Sequence, residues 1–160
     1  MLPPQHRALN FLEPIRNNLC NYLQMNSSIK LHELFHHLDS SQALTFNLFY
    51  PYFTAGGEAA RALSTSLGIN DDVVDWKFEN VPDIVEGTNV DIVWSLPNGG
   101  TVFCEVKLSK TAYSRAENDI RHRKKLEQIY GPCLESLASD ESLTDNLRDY
   151  ALALPKKYVI

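Results

Sequence analysis

Residues 88–110, TNVDIVWSLPNGGTVFCEVKLSK, hold two runs rich in β-branched and aromatic side chains on either side of Pro97-Asn98-Gly99-Gly100. That pattern predicts a β-hairpin. Side chains alternate faces along a strand, so Val90, Ile92, Trp94 and Leu96 share one side of the first run. Val102, Cys104, Val106 and Leu108 share one side of the second. If both apolar sets face a core, Asp91, Val93 and Ser95 lie beside Phe103, Glu105 and Lys107 on the other face. Charged groups rarely occupy such runs without a partner or a task. The turn decides their register. A two-residue Asn98-Gly99 turn pairs Pro97 with Gly100 and separates Asp91 from Glu105, whereas a three-residue Asn98-Gly99-Gly100 loop sets Asp91 across from Lys107. In the second case Gly100 would supply the left-handed position.

Upstream, DVVDWKFENV at residues 72–81 has the same strand character, which completes a three-stranded meander. Before it the pattern is helical. Residues 5–25 carry Leu9, Leu12, Ile15, Leu19 and Leu23 near helical spacing, with Pro14 as a kink or break. SSIKLHELFHHL and SSQALTFNLFYPYF read as two further helices, each opened by a Ser pair able to cap backbone amides. GGEAARALSTSLG is a short helix between glycines. From Thr111, TAYSRAENDIRHRKKLEQIY returns to helix, another helix is expected near 142–154, and KYVI at the end is strand-like. The expected class is α/β.

At 160 residues and 44% hydrophobic, the chain is long and apolar enough for one domain, with residues 1–39 as a helical extension and 40–160 as the core. A formal net charge of -5 argues against holding nucleic acid by bulk electrostatics, so any anion-binding role must be local. Cys20, Cys104 and Cys133 are odd in number and widely spaced, forming neither a disulfide framework nor a zinc-spaced cluster. With no signal-peptide block and no run of about 20 apolar residues, the expectation is a cytoplasmic protein without a membrane partner.

Two carboxylates and a lysine on one face suit divalent-metal phosphodiester hydrolysis. Hard oxygens hold magnesium, while a cation steadies the attacking water and the phosphate charge. Asp91 on one strand, then Glu105-Val106-Lys107 on the next, followed by a helix, resembles the PD-(D/E)XK nuclease superfamily. More narrowly, SSQALTFNLFYPYF, FENVPDIVEGTNVDIVW and FCEVKLSKTAY together resemble a restriction-endonuclease-like bacterial group within it. The resemblance covers roughly residues 40–113. It implies a restriction-endonuclease-like core: a helix before a β-meander, then a second helix and a further strand. It also implies DNA as partner, Mg2+ or Mn2+ as cofactor, and a 5′-phosphate product. Asp91 and Glu105 would ligate metal, the Val106 carbonyl could add a ligand, and Lys107 would orient the water. For the carboxylate that the superfamily often adds from its first helix, Glu58 and Glu79 both compete. Pro82-Asp83 matches the name of the motif but precedes the second strand in a turn. A non-catalytic DNA-binding relative is the alternative, and a second copy of the chain is an optional partner.

Two other features compete for attention. HELFH at residues 32–36 matches HExxH, in which His32 and His36 on one helical face bind zinc and Glu33 activates water. A third ligand is missing from the sequence, and the plainer reading turns Leu31, Leu34, Phe35 and Leu38 inward, so a zinc peptidase is a distant alternative. Along 107–125, basic residues outnumber Glu117 and Asp119 in an otherwise acidic chain. Lys110, Arg115, Arg121 and Lys125 are the candidates for phosphate contact, against the plainer reading of a solvated helix face.

Overall fold

A computed structural model describes residues 1–82, 84, 87–108 and 120–139. The chain divides into two compact units, Met1–Lys110 and Thr111–Ile160. Among the described residues there are five α-helices and one three-stranded antiparallel sheet, a mixed α/β architecture.

The N-terminal stretch is broken where its prolines stand. A 3-10 helix spans Pro4–Asn10, a 3-10 turn spans Glu13–Ile15, and α1 runs Arg16–Met25. Pro14 lies in the turn that separates the two longer pieces, as a residue without an amide donor should. α2, Ser41–Ala55, is the long central helix. Its start is fixed by Ser40, whose hydroxyl accepts from Ala43 N at 3.3 Å. α3, Gly57–Ser66, follows after Gly56.

The segment expected as a helix over residues 27–38 forms only one 3-10 turn, Glu33–His36. Its local signals favour capping over propagation: His32 takes an extended ψ and its Nδ1 accepts from Leu34 N at 3.1 Å.

The meander is present as expected. β1 is Asp75–Asn80, β2 is Val90–Ser95 and β3 is Thr101–Cys104, in the order β1-β2-β3. α2 presents Phe46, Phe49, Tyr50 and Phe53 to the core at helical spacing. Phe46 meets Phe78 of β1 at 4.8 Å between ring centres, and Phe49 and Phe53 meet Trp94 of β2 at 5.9 and 5.6 Å. Phe11, Leu19 and Phe35 join the same buried cluster, so the residues before α2 help to close it. Ile92 and Trp94 are buried in it, and Val102, Cys104 and Val106 pack against it. The expected apolar face is thus observed from Ile92 to Leu96 and from Val102 to Val106, whereas Leu108 is exposed and Val93, on the other face, is buried.

In the second unit α4 spans Ile120–Lys125, a π-helical turn follows at Leu126–Tyr130, and α5 spans Gly131–Ser139. Pro132 falls in the first turn of α5, where a missing amide costs nothing. The helix expected near 142–154 and the strand-like end lie outside the described residues.

Candidate active site

The hairpin register differs from both turns weighed from the sequence. Leu96 N donates to Gly100 O at 2.8 Å, leaving Pro97-Asn98-Gly99 as the loop. Gly99 holds the left-handed position at φ 83, and Asn98 Oδ1 accepts from Gly100 N at 2.8 Å. A Cβ at Gly100 would meet Asn98 Oδ1 at 2.8 Å, so a side chain there would displace the Asn98 carboxamide from its bond to the Gly100 amide. The paired residues run from Ser95↔Thr101 to Ile92↔Cys104. Continued by one step, this register sets Asp91 across from Glu105, in place of the Lys107 expected from the longer loop. The two registers differ by two residues, so which residues of β2 and β3 share a face is unchanged.

Past Cys104 the ladder gives way to a side-chain contact. Asp91 Oδ2 accepts from Val106 N at 2.7 Å, which anchors the segment that carries Glu105 and Lys107. Lys107 Nζ donates to Glu105 Oε1, and both side chains are part-exposed.

The strand β1 brings a third carboxylate. Phe78↔Ile92 and Asn80↔Val90 are paired, which places Glu79 across from Asp91. Glu79 is the only non-glycine residue with positive φ among those described, at 49°. Its backbone therefore leaves the strand conformation there. Its Oε1 accepts from Gln42 Nε2 at 2.9 Å, and its Oε2 accepts from Asn89 Nδ2. Of the two carboxylates that competed from the sequence, Glu79 reaches this site. Glu58, exposed in the first turn of α3, is not among the residues lining it.

A cleft of about 470 Å³ opens beside these groups, lined by His32, His37, Gln42, Glu79, Asp91 and Lys107 among others. Its electrostatics are those of crowded acids. Burial pushes the Glu79 carboxyl up, the charges of Asp91 and Glu105 add to that, and the bonds from Gln42 and Asn89 oppose it. Burial also raises Asp91; the Val106 amide and Lys107 pull it down while Glu105 pushes it up.

Among the described residues, no group of three His, Cys, Asp or Glu side chains is arranged to hold a metal ion. The donors nevertheless suit magnesium, which is usually held by one or two carboxylates and keeps several waters. Asp91 and Glu105, with the Val106 carbonyl between Glu105 and Lys107 in sequence, are the groups that would hold it.

The HELFH segment lacks the geometry its motif needs. His32 lies outside the Glu33–His36 turn with an extended ψ, so the α-helical spacing that would set two histidines on one face is not formed. Lys110 and Arg115 lie outside the described residues, while Arg121 and Lys125 belong to α4. Gln42 and Asn89 were missed from the sequence. The one signal for Gln42 was a polar side chain inside a run otherwise apolar enough to be buried. No helix among the described residues is long and apolar enough to cross a membrane.

No curated protein and no solved structure matches the chain. A family model does, over residues 1–155, and the chain belongs to that family, REase-ARP, described as Restriction Endonuclease associating with ARP.

Proposed function

We propose that this chain is a divalent-metal-dependent deoxyribonuclease of the PD-(D/E)XK kind, built on a restriction-endonuclease-like core, with DNA as substrate. The observations that support this reading are the bond from the Val106 amide to Asp91, the Lys107–Glu105 ion pair, and the cleft that Asp91 and Lys107 both line. Membership of a restriction-endonuclease family supports it independently. The family description couples its nuclease to ARP, so an associating protein of that designation belongs to the same proposal.

In this mechanism Asp91 and Glu105 would hold Mg2+ or Mn2+, with the Val106 carbonyl as a further donor. When bound, the cation supplies Lewis-acid stabilisation of charge on the phosphate and on the attacking oxygen. Lys107, kept in place by Glu105, orients the attacking water and offsets charge on the phosphate. Water adds at phosphorus as the bond to the 3′ oxygen breaks, giving a 3′-hydroxyl and a 5′-phosphate. Lys110, Arg115, Arg121 and Lys125 contact backbone phosphates and carry no sequence information.

The test is incubation of the purified chain with supercoiled plasmid and linear duplex in magnesium, manganese or EDTA. Cleavage that needs a cation is expected. Retained DNA binding without cleavage in either cation would assign the chain to the non-catalytic relatives instead.

A further inference from the structure

Gln42 is polar, yet it is only 8% exposed and stands next to the aromatic layer of α2. Such a group is tolerated when every hydrogen-bonding atom is satisfied. Here all three functions are used. Nε2 donates to Lys30 O and to Glu79 Oε1, each at 2.9 Å, and Oε1 accepts from His32 N at 2.8 Å. Two acceptors on one end and an amide donor on the other also fix which way the carboxamide points. Across the site Asn89 Nδ2 donates to the other oxygen, Glu79 Oε2. Glu79 is thus held at both oxygens by carboxamides, in a backbone conformation that costs energy unless its surroundings enforce it.

The geometry points to Gln42 and Asn89 as positioning residues, a carboxamide clamp that aims Glu79 at the Asp91–Glu105 site as an outer carboxylate. With each oxygen already accepting one bond, Glu79 would serve a cation held by Asp91 and Glu105 through its remaining lone pairs, as an acceptor for the cation's water. Gln42 simultaneously ties down the segment from Lys30 to His32, of which His32 lines the cleft. This inference rests on the metal-site reading above and adds the residues that organise it.

The test is Mn2+ affinity of the full chain, read from the free-ion signal in electron paramagnetic resonance, together with thermal melting. The variants are Gln42→Leu, Asn89→Ala, Glu79→Gln and the pair Gln42→Leu with Glu79→Gln. Asn89 is exposed, so its variant is the one least able to disturb folding. Outer partners of metal ligands typically contribute about 10- to 100-fold in affinity, so each clamp variant should bind Mn2+ about tenfold more weakly. If Gln42 acts through Glu79, adding Gln42→Leu to Glu79→Gln should change affinity by less than about twofold. Wild-type affinity in both Gln42→Leu and Asn89→Ala, full additivity in the pair, or no Mn2+ binding by the wild type would each overturn the clamp. Mn2+ binding with the expected coupling but no DNA cleavage would sustain the clamp and remove the nuclease reading alone.

Discussion

Asp91 does two separable things in this fold, and two substitutions pull them apart. Its Oδ2 accepts from Val106 N at 2.7 Å, and its charge sits in a part-buried place already crowded by Glu105. Asp91→Ala removes the acceptor. A part-buried amide left without a partner costs about 1–3 kcal/mol, and relief from burying a carboxylate next to another offsets some of this. A net loss of about 1–2 kcal/mol corresponds to a melting drop of about 3–6 °C for a chain of this size. Asp91→Asn keeps a carbonyl oxygen that can accept from Val106 N and removes only the charge, so its melting temperature should equal or exceed that of the wild type. Both variants should lose cation-dependent cleavage, because neither offers a carboxylate to the metal. The assay is thermal melting in EDTA beside plasmid nicking in magnesium. Equal destabilisation by Asn and Ala would refute the acceptor role. Wild-type nicking by Asp91→Asn would remove Asp91 from the site.

Lys107→Ala should abolish cleavage while DNA affinity stays within a few fold, since one of several phosphate contacts contributes modestly to binding but directly to the transition state. Arg121→Ala with Lys125→Ala should do the opposite, weakening binding and lowering its salt slope by about one unit per lost phosphate contact; an unchanged slope would exclude α4 from the interface. The folded-state pKa values of Glu79 and Asp91 lie above their ordinary ones, so their contribution to stability is fully present below the ordinary carboxylate range and is lost as pH rises through the raised values. In EDTA the melting temperature should therefore climb as pH falls from neutral toward that range, and Glu79→Gln with Asp91→Asn should flatten the dependence. Trp94→Ala, at a side chain 1% exposed between Phe49 and Phe53, should cost about 3–5 kcal/mol, and a loss below about 1 kcal/mol in urea unfolding would contradict the packing described.

The meander was legible because period-two alternation is a local property. Ile92, Trp94 and Cys104 announce one face, and Asp91 falls on the other, without reference to distant residues. The register was less legible, because it depends on which glycine turns left-handed. The choice of Gly99 over Gly100 was made by Asn98, whose side chain closes onto the Gly100 amide. HELFH misled for a related reason. Its letters permit an α-helix, but His32 caps the turn and the backbone stops after Glu33–His36. The link between Glu79 and Gln42 spans 37 residues and had no local signature at all. Nothing in the β1 sequence shows that Glu79 departs from the strand conformation.

The charge pattern of the site gives the proposed reaction an order. The chain is acidic, with a formal net charge of -5; Glu79 and Asp91 line the cleft, and the charge of Glu105 acts on both. Without a cation such a surface repels a phosphodiester, and Lys107 cannot reverse that because its ammonium group is engaged by Glu105. Once a divalent ion neutralises two of these charges, the repulsion falls, and the Lys107 contribution to the phosphate is no longer outweighed. Cation first and DNA second is therefore the sequence of events this arrangement favours.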